Sequence, residues 1–501
     1  MIIKRNLAAN YVGKFWSVVS SFVFIPIYIN LLGFDSYSII SFSLVVSGLM
    51  VILDSGLTAT LSRELARSDQ SFLEKRGIFA TLETVYFLIT GLCIALIFAF
   101  SNVISSNWIT SEVYSSHEIS IFIKIIGFEI GFQLLIRFYL GGLIGLEKQI
   151  MSNTLQVTWS VFRNGVVAVI ILFLPSLKVF FIWQAFSTLS FAIIAGLILR
   201  KAINGNHSFN FNRIERSILS KTWKFASGML LISIVAALNT QMDKLVISKV
   251  LPIENLGFYT LAVSLSMSIF IFVTPVSVAM LPRFTVLFSG DRVNEAKALL
   301  DKLNIIVNIL IFSIMACMIF FSYELIYIWT GNHEIAIQTK DYVPIISIGV
   351  AFLSLQIFPY NIAIANGYTR LNIILGLGSL FFTLPGYWIA ISKYGAIGGA
   401  FIFCGIQFVI ANIYVFYINR RYFGVISFVE LYLKPIIVPF ILTMSIGFVF
   451  SFIPDIIEVN RFYSFIWIGF SATCIFFITL LVLSPKKNSI DYIKNLISSS
   501  N

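Results

Sequence analysis

The chain is a succession of apolar runs of about 20 residues separated by short polar breaks, and each run is long enough to cross a bilayer as a helix. In lipid every backbone polar group must find its partner inside the protein, which restricts such a chain to a bundle of spanning helices. About fourteen spans are expected, near 11–32, 38–62, 78–102, 119–142, 151–174, 178–199, 224–249, 257–282, 303–329, 342–365, 371–391, 395–418, 434–453 and 463–483. Composition agrees: 58% of the 501 residues are hydrophobic and 11% charged, against roughly a quarter charged in soluble domains. The fold class expected is an all-α polytopic membrane protein. The first run follows Lys4-Arg5 without a small-residue cleavage site and is expected to stay in the mature chain.

Positive charge sets the orientation. Of the 34 Lys and Arg residues, 24 fall in the segments on the N-terminal side and five on the other, at Lys178, Lys249, Lys340, Lys393 and Arg461. Cytoplasmic loops hold such an excess, so both termini are expected in the cytoplasm. The net charge of +11 is mostly this bias and suits anionic lipid head groups; it requires no nucleic acid.

The long basic loop Arg200 to Lys224 divides the spans into an N-lobe (1–200, spans one to six), a linker (201–223) and a C-lobe (224–420, spans seven to twelve). Two further spans and a cytoplasmic tail follow at 421–501. The latter half of the linker reads as a basic amphipathic helix on the inner surface. A shift of 219 residues lays Leu31–Val46 on Val250–Leu265 and sets Asp54-Ser55-Gly56 opposite Val273-Thr274-Pro275, read as a helix interruption in each lobe. An even number of spans per unit makes the repeat parallel, about an axis along the membrane normal, with a central cavity expected between the lobes. Pro26, Pro275, Pro359 and Pro385 lie inside spans, where they kink helices either for gating or for packing.

Ionisable residues within spans are costly and normally face a protein interior or a wet cavity. Glu129, Gln133 and Arg137 follow i, i+4, i+8 in the fourth span; Asn153, Gln156, Ser160 and Arg163 follow i, i+3, i+7, i+10 in the fifth. Each set lies on one helix face. Either the two stripes line a hydrophilic wall in which Arg137 and Arg163 draw in an anionic head group, or Glu129 and an arginine form a structural pair between helices. Asp54 either carries a coupling proton or sodium ion or satisfies loose backbone donors near Gly56. Asp243, beside Lys244, has the same two readings; Glu129 is a further candidate for ion coupling if it is not in a structural pair, whereas Glu83 reads as interfacial.

Cys93, Cys317, Cys404 and Cys474 are widely spaced small hydrophobes, and His117, His207 and His333 lie in loops, so neither a metal site nor a cofactor is expected. A membrane-embedded polymerase or glycosyltransferase would carry a large outer loop with paired acids or arginines. Here the largest, roughly Val103 to Glu118, has only Glu112 and Glu118 and no Lys or Arg. A transporter is expected rather than an enzyme.

The stretch Phe22 to Arg67, with Pro26, Leu32-Gly33, Asp35, Asp54, Gly56-Leu57 and Arg63, resembles the opening of polysaccharide flippases of the O-antigen (Wzx-like) type, within the multidrug/oligosaccharidyl-lipid/polysaccharide (MOP) exporter superfamily. Leu238 to Ala262 looks like the start of that family's second lobe, and Tyr394 to Ala400 like its Gly-rich lead into the twelfth span. Ser38 stands where a glycine is usual. The resemblance implies two six-helix bundles around a cationic lumen. It also implies movement of undecaprenyl-pyrophosphate-linked oligosaccharide to the outer leaflet, coupled to protons or sodium, in partnership with membrane lipids, a polymerase and a chain-length regulator. Two relatives within the superfamily are the alternatives: a multidrug or small-cation exporter, against which the cavity arginines count, and a flippase for lipid-linked peptidoglycan precursor.

Overall fold

The structure, a computed structural model, describes residues 20, 22–69, 71–204, 216–452 and 461–483. Thirteen helices among these residues are long and apolar enough to cross a membrane. The expected run at 11–32 is described only in part, as helix α1 (Phe22–Leu32). Packing divides the chain into two compact units, residues 1–257 and 258–501. That division falls one span later than the division by sequence repeat.

The first unit holds α1, α2 (Phe34–Ala66), α3 (Phe72–Asn107), α4 (Ser116–Gly145), α5 (Gln149–Phe173), α6 (Leu177–Asn204) and α7 (Arg216–Val250). At its centre, α4 packs on α2, α3 and α6, while α2 also packs on α7. Burial follows: 72% of the apolar window of α4 is covered by the chain, against 17% for α3. The outward face of α3 carries Leu88, Leu92, Leu96 and Phe100, all exposed, an i, i+4 stripe suited to lipid. Helix starts are written locally. Ser71 with Glu74 and Ser115 with Glu118 form capping boxes on α3 and α4. In the turn after α2, Arg67 donates to Asp69 at 2.6 and 3.0 Å, and that bonding holds the Asp69 carboxyl below the usual carboxylate range.

Gly33, with φ +86°, makes the left-handed turn into α2 that other residues resist. The serine at position 38 has its physical counterpart across the helix pair. A side chain at Gly257 would collide with Ser38 Oγ and with the Phe34 ring, so the glycine that permits close approach sits on the facing segment. The starts of α2 at Phe34 and of the next helix after α7, at Ile253, lie 219 residues apart, the offset of the sequence repeat.

That next helix, α8 (Ile253–Ser266), is separated by Met267 from α9 (Ser268–Ser289). The second unit continues with α10 (Val293–Phe320), α11 (Ser322–Thr330), α12 (His333–Thr339), α13 (Tyr342–Leu355), α14 (Ile357–Ala365), α15 (Arg370–Tyr394), α16 (Ala396–Phe423), a π-helical turn (Val429–Ile437) leading into α17 (Val438–Ser451), and α18 (Arg461–Leu483). Its core is α10 against α13, α17 and α18, and α13 against α16.

Three expectations are corrected. No interruption occurs at Asp54-Ser55-Gly56, since α2 is continuous through them. The latter half of the linker is not a separate surface helix, because α7 runs from Arg216 straight into the seventh span; residues 205–215 lie outside the described set. Pro275 and Pro385 sit within unbroken helices, while breaks fall at Met267 and Gln356. Pro359 lacks the N–H that would bond the Leu355 carbonyl, which is consistent with the break one residue later. The short α12, nucleated where Asn332 caps the Ile335 N–H at 3.1 Å, had no signal in the hydrophobic pattern.

Candidate functional site

Midway along α5 the residues Val161–Val166 form a π-helical turn. Such a turn displaces backbone carbonyls from the α ladder, and in an apolar span each must find a donor. Three successive carbonyls do: Phe162 accepts from Trp183 Nε1 at 3.2 Å, Arg163 from Gln184 Nε2 at 3.5 Å, and Asn164 from the Tyr28 hydroxyl at 3.2 Å. Helices α1 and α6 thereby hold the turn in place, and Arg163 with it.

From this turn Arg163 Nη2 reaches Glu129 Oε1 on α4. Gln133 Nε2 donates to the same oxygen at 2.9 Å, and the Trp159 ring centroid lies 5.5 Å from the guanidinium carbon, close enough for cation–π attraction. The Glu129 side chain is 3% exposed and that of Arg163 20%. The pairing is one-pronged: Arg163 Nε is buried with no acceptor. Of the two readings of the stripe, the ion pair is present.

The other three stripe members of α5 are Asn153, Gln156 and Ser160. Gln156 is exposed and Asn153 half-buried, and the pair is held by Gln133 instead. The spacing i, i+3, i+7, i+10 assumes 3.6 residues per turn up to Arg163; the π turn breaks that phase. Arg137, two turns beyond Glu129 on α4, is half-buried and outside every ion pair among the described residues. Its electrostatic neighbour is the fully buried Tyr86.

Tyr86 also completes the setting of Asp54. This carboxylate is 8% exposed and its Oδ1 accepts from the Tyr86 hydroxyl at 2.5 Å and from Thr58, one turn on along α2. Side-chain hydroxyls therefore satisfy it, and backbone donors near Gly56 do not, because the helix there is unbroken. Tyr86→Phe is expected to cost about 1–3 kcal/mol by removing one of two donors from a buried acceptor. The unfolding midpoint of the purified protein in detergent checks it, and an unchanged midpoint would mean that Asp54 is solvated.

Glu83, read as interfacial, is buried within the chain. It is 1% exposed and accepts from Arg200 Nη2 and from the Tyr139 hydroxyl, each at 2.7 Å. Helix α6 continues to Asn204, past the expected end of the span at 199, so Arg200 is a helical residue that reaches the carboxylate rather than part of a loop. Asp243, 5% exposed, lies 3.4 Å from Lys244 Nζ. No group of three or more His, Cys, Asp and Glu among the described residues could hold a metal ion. In the second unit a cavity of about 290 Å³ is lined mostly by apolar groups, among them Phe312, Met315, Phe352, Phe408 and Phe440, and holds no charged side chain in its wall.

The chain matches known proteins throughout most of its length. The family model described as polysaccharide biosynthesis protein matches residues 3–288, and the MatE model matches residues 229–389. A putative O-antigen transporter of Shigella flexneri is 21% identical over 380 residues, 74% of this chain and 86% of that one. Among solved structures, the lipid II flippase MurJ in an inward closed conformation superposes with a TM-score of 0.74 at 15% identity, covering 97% of this chain and 99% of that chain. An inward-facing multidrug resistance MATE family transporter superposes at 0.63 with 12% identity, covering 82% and 95%. The structural likeness shows the fold, and the match over residues 3–288 shows the family: this chain belongs to the polysaccharide biosynthesis proteins, the Wzx-like flippase family of the MOP transporter superfamily.

Proposed function

We propose that this transporter moves an undecaprenyl-pyrophosphate-linked oligosaccharide from the inner to the outer leaflet of a bacterial cytoplasmic membrane by alternating access, for assembly of a surface polysaccharide. The observation that carries this reading is Arg137, a half-buried cation inside α4 that forms no ion pair among the described residues. A permanently charged, planar donor in a low-dielectric setting is matched to phosphate oxygens and repels a cationic drug. The Shigella relative, named as an O-antigen transporter, supports the class of cargo. With the basic loops on the cytoplasmic side, Arg137 lies nearer the loading face than Arg163, about 12 Å further along α4 than Glu129 at 1.5 Å per residue. A head group entering from inside would meet the unpaired arginine first.

The test is complementation in the strain that makes this protein's own polymer, with its flippase gene deleted. Surface polymer and accumulated lipid-linked repeat unit are scored for wild type and Arg137→Gln at matched membrane levels. Wild type is expected to restore export and Arg137→Gln to reduce it at least tenfold, about 1.4 kcal/mol. Normal export by the variant removes Arg137 from the path; failure of well-expressed wild type overturns the flippase reading in favour of an exporter.

A further inference from the structure

We infer that Glu129 is a built-in competitor for Arg163: an internal anion that occupies the guanidinium until the diphosphate of the cargo displaces it, and that reclaims it to expel the cargo. This rests on the head-group reading of Arg137 and Arg163 and adds a release step to it.

The geometry argues for a displaceable partner. A structural arginine–carboxylate pair in a dry interior is best made two-pronged, with parallel N–H donors meeting both oxygens. Here a single Nη2 meets a single Oε1, while Nε is buried without an acceptor. The carboxylate is braced from its own helix by Gln133, one turn away, on that same oxygen. The arginine is braced through its backbone by the three side chains that grip the π turn. Both partners therefore stay in place when the contact between them opens, and the bracing does not depend on the contact. Each phosphorus of the cargo's diphosphate carries two unesterified oxygens, which can take Nη2 and the orphaned Nε together, as the carboxylate in this arrangement does not. Arg163 also retains a fifth of its side-chain surface, whereas Glu129 has almost none, so the cation is the member that a ligand can reach. A site that bound diphosphate with nothing to compete would hold its cargo; an intramolecular anion at high effective concentration lowers that affinity and speeds departure.

The test uses the full-length protein in detergent with farnesyl diphosphate as the probe and uncharged farnesol as its control. Dissociation constants are compared for wild type, Glu129→Gln, Glu129→Asp, Arg163→Gln and the Glu129→Gln/Arg163→Gln double variant. Removing the competitor is expected to tighten farnesyl diphosphate binding about tenfold in Glu129→Gln and to tighten it less in Glu129→Asp, whose carboxylate is retracted by one methylene. Farnesol binding should stay unchanged, and the gain should vanish in the double variant. A merely structural glutamate would weaken binding when replaced, the opposite sign. Glu129→Asp keeps the test decisive if the glutamine variant does not fold. Unchanged or weaker binding in the Glu129 variants, with Arg163→Gln weakened, overturns the competitor and leaves the head-group reading intact. Tighter binding of farnesol as well overturns it too. No loss in Arg163→Gln overturns the head-group role of that arginine and the competitor together.

Discussion

Arg200→Ala is expected to destabilise the protein by about 3–5 kcal/mol, because it strands a buried carboxylate whose remaining donor is a single phenol. Glu83 has 2% of its side chain exposed, and Tyr139 is itself buried beside it. The loss should show as a lowered unfolding midpoint in detergent and reduced membrane level in cells. Removing both charges, in Glu83→Leu/Arg200→Met, should recover most of the loss, since replacing a buried pair by apolar groups of similar volume is often close to neutral. A near-neutral single variant would show that Glu83 is uncharged or hydrated in the folded protein. Export should follow protein level in these variants, in contrast to Arg137→Gln, where export falls at constant level.

Gly145→Leu should be comparably damaging for a steric reason. A side chain at position 145 would meet the Ser62 backbone of α2, with Ser62 Cα at 2.8 Å and its carbonyl carbon at 2.9 Å. Backbone cannot swing away as a side chain can, so α2 and α4 must separate along their whole seam, which also contains Gly141 against Thr58. Overpacking of this kind costs about 3 kcal/mol, and here the two helices it parts carry Asp54 and Glu129. Gly405→Ala on α16 is the control: open space surrounds that glycine, and the substitution should be neutral or stabilise the helix by up to about 1 kcal/mol. Equal effects from the two would mean that the α2–α4 seam yields freely.

Much of the fold was legible because lipid imposes a length and an apolar composition on every span. The expected 342–365 and 463–483 became Tyr342–Ala365 and Arg461–Leu483. What hydropathy cannot register is phase within a span. The π turn at Val161–Val166 is written in no apolar pattern, and it removed Gln156 from the neighbourhood inferred from spacing. Glu129, Gln133 and Arg163 were found because charge in an apolar run stands out; Tyr28, Tyr86, Tyr139 and Trp183 were missed because an aromatic residue there looks like lipid-facing surface, although each uses its polar tip. The separation Gly141-x-x-x-Gly145 was the available signal for the tight α2–α4 seam, and Glu83, three residues before Tyr86, was readable as one face of α3 turned inward.

Two of the buried ion pairs, Glu129–Arg163 and Glu83–Arg200, differ in how far apart their members lie along the chain, and that difference bears on how the protein is made. Glu129 and Arg163 are 34 residues apart, on consecutive spans. They can leave the translocon as one neutral hairpin, each charge covering the insertion cost of about 2.5–3.5 kcal/mol that the other would face alone. Glu83 and Arg200 are 117 residues apart, with two whole spans synthesised in between. Helix α3 must therefore wait with its carboxylate unmatched until α6 emerges, and for that interval the nascent chain depends on protonation or on water at the translocon to hold Glu83.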